Sequence, residues 1–292
     1  MKKTVLVTGC SGYIGQHLCA YLKGSDYEVW GIDRVQPSEK LEQYLDEFRH
    51  LDIVNENDWI AGNWYQKQFD AVVHLAALVQ VGESVENPIN YYETNIQGTI
   101  NVLKHLQFEN FVFASTGAAS TPPWSPYALS KIAGEQCVRQ LLSDVPYTIF
   151  RFFNVIGSAG FEPTNPDGLF YNLRKAEKTG TFNLYGDDYN TPDGSAIRDY
   201  VHVIEICYAL ELAVRKPSCV PGAEIQPFVE NLGHGKGHSV KEIVEAYKKV
   251  NNVDFEVVNQ PRRYGDLEKS VLNDVSPYMR EMYLMKELVK AK

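Results

Sequence analysis

Cysteine and long hydrophobic runs are both scarce in this sequence of 292 residues. The five cysteines are spread along the chain without a C-x-x-C pair, which argues against a disulfide framework and favours reduced thiols in a cytosol. No apolar run approaches the ~20 residues that cross a membrane, and the strand-like run after the first lysines is too short for a signal-peptide core. We therefore expect a soluble, cytoplasmic protein with no membrane partner.

Basic residues are also fewer than acidic ones. The chain has 28 Lys and Arg against 37 Asp and Glu, a formal net charge of −9 and a pI near 5.3. Because binding to nucleic acid needs a concentrated basic surface, we expect no nucleic-acid partner. The sequence shows neither an internal repeat nor a low-complexity segment, and its length is sufficient for a large α/β core.

Alternating strand and helix patterns fill the first half of the chain. Short buried strands are predicted at residues 4–8, 28–32, 70–77, 111–116 and 147–153, and a helix is predicted over 90–105. Such alternation predicts the α/β class, as a Rossmann-type doubly wound parallel sheet with ligands at the carboxyl ends of its strands. After Asn154 the composition shifts toward Gly, Pro, Asn and Asp, which predicts a smaller, loop-rich substrate-binding lobe.

A glycine-rich turn connects the first predicted strand to a helical pattern. Gly9, Gly12 and Gly15 follow the spacing G-x-x-G-x-x-G, which lets the backbone approach a pyrophosphate at a helix start. Asp33 follows the second strand, where an acid binds the adenine ribose hydroxyls and repels a 2′-phosphate. We therefore expect NAD rather than NADP, although the neighbouring Arg34 could tolerate that phosphate. The alternative interpretation is a plain tight turn with a loop acid.

Two lobes follow from these patterns. We expect an NAD-binding domain over residues 1–153 and 197–216, and a substrate-binding lobe over 154–196 and 217–292.

Tyr127 and Lys131 lie four residues apart where the sequence predicts the start of a helix, with Thr116 a short loop upstream. Residues at this spacing share a helix face, so the Lys131 ammonium can favour the ionised Tyr127 phenol. A phenol of ordinary pKa ~10 could then act as a base near neutral pH. Taken alone, the spacing is also common on solvated helix faces. Together with the glycine turn and Asp33, it indicates a hydride-transfer enzyme.

Nearly the whole chain resembles the extended short-chain dehydrogenase/reductases, and within them the UDP-glucose (UDP-galactose) 4-epimerases. The similarity includes the glycine turn, the segment from Ser125 to Lys131, and residues 51–53, 74–77, 81–84, 95–99, 151–154, 231–233 and 262–266. The segment from Gly186 to Val203 is the most indicative of the epimerase branch.

This resemblance implies C4 epimerisation of a UDP-hexose through a transient 4-keto sugar, with NAD regenerated in each cycle. Tyr127 would take the proton of the sugar 4-hydroxyl, Lys131 would bind the nicotinamide ribose and lower the Tyr127 pKa, and Thr116 would hydrogen-bond the reacting oxygen. The implied cofactor-binding residues are Gly9, Gly12, Tyr13, Ile14, Gly15, Asp33, Arg34, Asp52, Ile53, Leu75, Ala76, Ala77, Asn95, Tyr127, Lys131 and Phe153.

The resemblance also implies a nucleotide-sugar site. Its residues would be Thr116, Asn154, Leu169, Tyr185, Arg198, Arg263, Asp266 and Ser270, with both arginines at the diphosphate. Ser270 stands where epimerases restricted to plain hexoses tend to carry a bulky Tyr, so we expect the N-acetyl sugars to be accepted as well. The family further implies a homodimer, formed through the helices around Asn95 and Tyr127.

Other chemistries of the superfamily lack their residues here. Relatives that eliminate water carry an Asp-Glu pair just after the Ser or Thr, whereas this chain has Gly117 and Ala118. A dehydratase, a reductase and a non-catalytic cofactor-binding relative nevertheless stay open as alternatives. The segment from His234 to His238 has glycines typical of a loop and no evident third ligand, so we expect no metal site.

Overall fold

The computed structural model describes residues 2–62, 64, 67–120, 122–217, 229–263, 265–279 and 285–290. The chain divides into two compact units. The first unit comprises Met1–Arg151 and Cys207–Glu230, and the second comprises Phe152–Ile206 and Asn231–Lys292. Which lobe binds which ligand, and the lobe boundaries expected from the sequence, stay predictions.

The amino-terminal half of the chain alternates short strands and helices. Its strands are β1 Thr4–Thr8, β2 Glu28–Asp33, β3 Glu47–His50, β4 Gln68–Phe69, β5 Ala71–His74, β6 Gln107–Phe108, β7 Phe111–Thr116 and β8 Tyr147–Phe152. Its α-helices are α1 Tyr13–Gly24, α2 Glu39–Glu42, α3 Glu56–Ala61, α4 Val81–Glu86, α5 Pro88–Tyr92, α6 Gly98–His105 and α7 Pro126–Leu141. A π-helix, Glu93–Gln97, joins α5 to α6, and a 3₁₀-helix, Gly117–Ala119, follows β7.

The rest of the chain has shorter strands and longer loops. Its elements are β9 Asn154–Ile156, α8 Leu169–Thr179, β10 Thr181–Tyr185, β11 Ile197–His202, α9 Val203–Arg215, β12 Val229–Leu232, β13 Gly237–Ser239, α10 Val240–Asn251, β14 Glu256–Gln260, β15 Lys269–Ser270 and α11 Met285–Leu288.

A seven-stranded sheet has the order β12-β8-β7-β5-β1-β2-β3. The pairings that join β3, β2, β1, β5 and β7 are parallel. The strand order reverses direction between β1 and β5, and at such a switch point an open α/β sheet binds its ligand beyond the carboxyl ends of the strands. The predicted α/β class and doubly wound parallel sheet are confirmed.

Burial explains why these segments form the sheet. Every residue of β1 and of β5 is buried, as is typical of parallel strands that are covered on both faces. Leu6, Val72 and Phe111, from three adjacent strands, belong to one core cluster with Trp59 and Val138. This core fixes the strand ends at which the predicted site residues lie.

Two segments differ from the sequence expectation. The strand expected over 70–77 ends at His74. The Leu75 amide still donates to the Thr8 carbonyl of β1 at 3.1 Å, but the Ala76 amide bonds to the Thr8 side chain instead of continuing the backbone ladder. The helix expected over 90–105 is divided into α5, the π-helix and α6.

The second unit has its own core and small sheets. Strands β10 and β14 pair in parallel, while β11 pairs with β9, β13 and β15. Phe170, Phe182, Tyr247 and Phe255 lie in its core cluster. Helix α10 begins with a capping box formed by Ser239 and Glu242. Among the helices within the described residues, none combines the length and apolar character that a membrane crossing requires.

Candidate active site

The glycine turn between β1 and α1 is built on close backbone contacts. Gly9 has φ of +72°, and a Cβ atom on Gly15 would lie only 2.1 Å from the Gly9 carbonyl oxygen. Gly12 is the N-cap of α1, and no side chain caps this helix end. First-turn amides have no partner within their own helix, so the start of α1 can receive an anion close to the backbone. Tyr13 and Ile14 are the first two residues of α1.

Asp33 ends β2 beside this turn. Its carboxylate accepts hydrogen bonds from the Ser11 and Val35 amides, each at 2.9 Å. Burial raises the pKa of Asp33, and these backbone hydrogen bonds oppose the rise. The Asp33 carboxylate is therefore held against the glycine turn by the Ser11 amide. This is the position expected for an acid that binds the adenine ribose. The Arg34 side chain is exposed.

The segment after β5 lies against the same turn. The Ala76 amide donates to Thr8 Oγ1 at 3.2 Å, and a Cβ atom on Gly9 would lie 2.7 Å from that amide nitrogen. Leu75, Ala76 and Ala77 are each partly exposed. The structure thus places Leu75 and Ala76 against the glycine turn, and Ala77 follows them in the chain.

Asp52 and Ile53 follow β3 and have different environments. Asp52 Oδ1 accepts from the Val54 amide at 3.0 Å. The Ile53 side chain belongs to the core cluster, and its carbonyl accepts from Trp59 Nε1 at 3.0 Å and Asn101 Nδ2 at 2.9 Å. The Ile53 side chain is therefore part of the core, and its carbonyl is engaged by two side chains of the protein. Phe153 belongs to the second unit, where its amide donates to the Leu232 carbonyl at 3.2 Å.

Asn95 is buried in the π-helix, and its amide group bonds to protein partners. Its Oδ1 accepts from the Leu78 amide at 2.8 Å, and its Nδ2 donates to the Leu78 carbonyl and to Ser130 Oγ, each at 2.9 Å. The side chain therefore joins the segment after β5 to helix α7. A role of Asn95 toward a cofactor would act through these two elements.

His74 continues this hydrogen-bond network from the end of β5. Thr99 Oγ1 donates to the Asn95 carbonyl at 2.7 Å, so it must accept from His74 Nε2 at 3.0 Å. His74 Nδ1 then accepts from Thr8 Oγ1 at 2.7 Å. Burial, aided by the nearby Lys131 charge, lowers the pKa of His74 to about 3, so the imidazole is neutral and works as a structural connector.

Tyr127, Lys131 and Thr116 lie where α7 packs on β7. Ser125 caps α7 by accepting from the Ala128 amide, and Pro126 occupies its first position. The Tyr127 ring packs edge-on against Tyr91, with 6.4 Å between centroids. Burial raises the pKa of Tyr127, and a hydrogen bond with the Thr116 side chain opposes that rise.

Lys131 is only 3% exposed, with its ammonium 4.4 Å from the centroid of the Phe113 ring. Burial lowers the pKa of Lys131 to about 7, while the negative charge of Glu135 opposes the decrease. Burial thus works against the ionised forms of both Tyr127 and Lys131.

Glu135 and Arg151 are neighbours of this site that the sequence analysis missed. Arg151 donates two hydrogen bonds of 2.8 Å to the Glu135 carboxylate, and Ser115 Oγ donates a third of 2.5 Å. The available signal was the spacing of Glu135, one further helical turn beyond Lys131. Arg151 had no such signal, because it comes from a strand.

In the second unit, five of the predicted substrate residues form one group: Tyr185, Arg198, Arg263, Asp266 and Ser270. The Arg263 guanidinium stacks over the Tyr185 ring at 3.8 Å, and Arg198 Nη2 lies 3.8 Å from Asp266 Oδ1. Burial raises the pKa of Asp266, and both arginines oppose the rise. Ser270 pairs with Arg198 in the register of β11 and β15. Two cations beside an aromatic ring suit a diphosphate joined to a base.

Asn154 and Leu169 are placed differently within that unit. Asn154 begins β9 and pairs with Tyr200 of β11, two residues beyond Arg198. Leu169 is the first residue of α8 and packs against the core cluster.

His234 has a structural role in the second unit. Its Nε2 lies 3.1 Å from the Glu205 carboxylate, and its amide donates to Asp199 Oδ1 at 3.0 Å. Over the described ranges, no group of three or more His, Cys, Asp or Glu side chains is arranged to hold a metal ion.

The fold and these residues define a class of enzyme. A doubly wound sheet with a glycine turn after its first strand, an acid after its second and a Tyr-Lys pair on one helix face is the arrangement of a dinucleotide-dependent enzyme. The chain belongs to the NAD dependent epimerase/dehydratase family, whose sequence profile matches residues 5–226.

Known proteins are similar over nearly the entire chain. A UDP-glucose 4-epimerase 4 of Oryza sativa subsp. japonica is 33% identical over an alignment of 304 positions, gaps included, which covers 91% of this chain and 82% of that protein. The structure of the Bifidobacterium longum UDP-glucose 4-epimerase in complex with NAD+ and UDP is 27% identical, with a TM-score of 0.84 over 98% of this chain and 96% of that one. A UDP-Glc/GlcNAc 4-epimerase from Campylobacter jejuni is also 27% identical, with a TM-score of 0.78 over 98% and 97% of the two chains.

Proposed function

We propose that this chain catalyses the NAD-dependent epimerisation of UDP-hexoses at C4, interconverting UDP-glucose and UDP-galactose through a transient 4-keto sugar. The observation that carries this function is the placement of Thr116, Tyr127 and Lys131 on β7 and α7 of a dinucleotide-binding sheet. Gly117 and Ala118 supply no acid for elimination, so the hydride shuttle is the chemistry that the residues support.

The glycine turn fits NAD. Bare glycines at the start of α1 admit a pyrophosphate, and Asp33 at the end of β2 suits an unphosphorylated ribose. We assign the remaining adenine-side contacts to the backbone around Asp52 and Ile53, and the pyrophosphate-side contacts to residues 75–77. When bound, NAD supplies the hydride acceptor and donor for the sugar C4 atom.

Tyr127 is the proposed base. Its ionised phenol takes the proton of the sugar 4-hydroxyl and later returns it, so that no net proton is consumed. The Thr116 hydroxyl hydrogen-bonds to Tyr127 and favours the ionised phenol. We propose that its single O–H turns to the reacting oxygen when the sugar is bound. We propose that the positive charge of Lys131 opposes the rise that burial causes in the Tyr127 pKa. Lys131 can do so only while its amine is protonated.

Arg198 and Arg263 are the proposed diphosphate ligands, with Tyr185 and Asp266 beside them. The pairing of Ser270 with Arg198 places a small side chain at this group. We propose on this ground that UDP-GlcNAc and UDP-GalNAc are accepted as well. The similarity to the Campylobacter jejuni UDP-Glc/GlcNAc 4-epimerase supports this extension.

One experiment tests the reaction and its sugar range. The purified protein is incubated with NAD and separately with UDP-glucose, UDP-galactose, UDP-GlcNAc and UDP-GalNAc, and the C4 epimers are separated by chromatography. We expect turnover of all four sugars, and a loss of about 10³-fold or more in kcat for Tyr127→Phe, since this phenol is the base. A Tyr127→Phe variant with wild-type rates would refute the catalytic assignment. Turnover of the plain hexoses alone would refute the N-acetyl extension.

We further propose a homodimer that forms through the helices around Asn95 and Tyr127. Exposed apolar side chains are concentrated on α4, α5 and α7: Val85 and Ile89 are 41% and 67% exposed, and Leu129 is 40% exposed. Such side chains favour burial against a second copy. Sedimentation equilibrium should give twice the chain mass for the wild type and a lower mass for Ile89→Glu. A monomeric wild type would contradict the dimer.

A cytoplasmic location is the remaining part of the proposal. Cys10, Cys19, Cys137 and Cys207 are free thiols, as is common in a reducing compartment, while Cys219 lies outside the described residues. Recovery of the protein in the membrane or secreted fraction of its source cells would contradict this location.

A further inference from the structure

Three ionisable side chains follow one face of α7. Tyr127, Lys131 and Glu135 are separated by four residues each, so they project from successive turns of the helix. Lys131 and Glu135 are 3% and 1% exposed. Charges so deeply buried depend on their neighbours, because water cannot stabilise them.

The Glu135 carboxylate has a complete set of partners behind Lys131. Arg151 donates to both of its oxygens at 2.8 Å, and Ser115 donates to Oε1 at 2.5 Å. This fork geometry fixes the position of the carboxylate. It also places a cation beside the anion, so Lys131 experiences the sum of two opposing charges.

The groups that surround Lys131 come from four elements. Helix α7 contributes Tyr127 and Glu135, β7 contributes the Phe113 ring at 4.4 Å, β5 contributes His74, and β8 contributes Arg151 behind Glu135. His74 is neutral because burial holds its pKa near 3. Among the described residues, Glu135 is thus the charge that the structure provides in favour of the Lys131 ammonium.

We propose that Glu135 and Arg151 are positioning residues that set the charge of Lys131, and through it the basicity of Tyr127. The proposal rests on the proposed function, since the basicity of Tyr127 matters only if this phenol moves a proton of the substrate. Glu135 favours the ammonium, and Arg151 limits how strongly it does so. Because burial brings the Lys131 pKa to about 7, small changes in this balance alter the charged fraction near neutral pH.

Charge-altering variants should move the Lys131 titration in opposite directions. Glu135→Gln removes the anion and leaves Arg151, so the Lys131 pKa should fall by about one unit. Arg151→Met leaves the Glu135 anion without its cation, so the Lys131 pKa should rise by about one unit. The double variant restores the neutral balance and should return close to the wild-type value. Ser115→Ala removes a hydrogen bond to the same carboxylate without changing any charge. We expect it to leave the Lys131 pKa unchanged.

Two readouts are measured on the NAD-saturated protein. The first is the ¹³C shift of the Lys131 Cε atom against pH in lysine-labelled protein, assigned with Lys131→Met. The second is the alkaline limb of the kcat profile, which falls as Lys131 loses its proton. Thermal melting of each variant checks folding, and comparison of Glu135→Gln with the double variant isolates the effect of Arg151 in the absence of the Glu135 anion.

Opposite shifts in both readouts would support the proposal. Shifts of the same sign, or shifts below about 0.3 unit in every charge variant, would overturn it in favour of a purely structural ion pair. If the wild type turns over no UDP-sugar while the Cε titration still moves as expected, the proposed function fails and the control of Lys131 by Glu135 and Arg151 stands.

Discussion

At the scale of single residues, the Tyr127-Lys131 pair needs more than its spacing. The helix makes the two residues neighbours, yet burial raises the pKa of Tyr127 and lowers that of Lys131 to about 7. Both pKa shifts oppose the ionised forms, the Tyr127 phenolate and the Lys131 ammonium, that the proposed catalysis requires. Thr116 and Glu135 are the polar groups that act in the favourable direction. The chemistry proposed for Tyr127 therefore depends on a cluster of side chains on α7, β7 and β8.

Residues of the glycine turn give a sharper prediction. Gly15→Ala would place a methyl group 2.1 Å from the Gly9 carbonyl oxygen, so α1 must move away from the turn. We expect a loss of about 1–3 kcal/mol in stability and at least ~10-fold weaker NAD binding, because overpacking displaces the backbone that receives the pyrophosphate. Thermal melting and a calorimetric NAD titration measure the two effects.

Gly24→Ala is the matched control in the same helix. A Cβ atom there would have no heavy atom within 4 Å, so stability and NAD affinity should stay at or above the wild-type level. Equal NAD affinity in Gly15→Ala and Gly24→Ala would show that close packing of the turn is not what makes this site.

At the scale of secondary-structure elements, the π-helix is the main departure from the sequence expectation. A helix was predicted over 90–105, and no periodic pattern in the sequence indicated the widened turn at Glu93–Gln97. The widened turn presents Asn95 to the segment after β5 and to α7. A π-helical turn within an α-helix often marks a functional position, and here it connects two parts of the proposed site.

Removal of the Asn95 amide should loosen that connection. Asn95→Ala leaves both polar backbone groups of Leu78 without their present partner, which should cost about 2–3 kcal/mol of unfolding free energy. We also expect weaker NAD binding, because Leu78 follows Leu75 and Ala76 closely in the chain, and those two residues contact the glycine turn. Glu93→Ala, at an exposed position of the same π-helix, should change neither quantity. Similar effects of the two variants would rule out a specific role for Asn95.

At the scale of the whole molecule, His74 makes stability depend on pH. Its folded-state pKa is about 3, whereas an unfolded His titrates near ~6.5. Between these values the unfolded chain binds a proton that the folded protein does not, so stability falls as the pH decreases from about 6.5 toward 3. The slope from this residue is at most about 1.4 kcal/mol per pH unit.

His74→Gln should have a shallower pH dependence of unfolding than the wild type between about pH 4 and 6.5. Denaturant titrations at several pH values measure the slope. His50→Gln is the control, since His50 is exposed and its Nε2 donates to the Arg34 carbonyl at 2.9 Å on the surface. An unchanged slope in His74→Gln would contradict the buried neutral imidazole.

Local patterns in the sequence were enough to predict the class of fold and one part of the site. The apolar runs of β1 and β7 and the glycine spacing before α1 are local signals, and the structure has these elements at the expected positions. The family and the NAD-dependent epimerisation of UDP-hexoses, first indicated by similar segments, agree with the relatives found. The roles of the individual site residues stay predictions.

Local patterns did not predict the contacts between residues that are far apart in the chain. Periodicity specifies which face of a strand or helix is apolar, so Tyr127 and Lys131 could be placed together from sequence alone. Which strand supplies the partner of a buried charge depends on how the sheet is ordered and how α7 packs on it. Local sequence was therefore enough to identify the glycine turn, Asp33 and the Tyr-Lys pair, because each depends on residues close together in the chain. Strand order and helix packing bring Arg151 and Ser115 to Glu135, and they bury Lys131 so that its pKa falls.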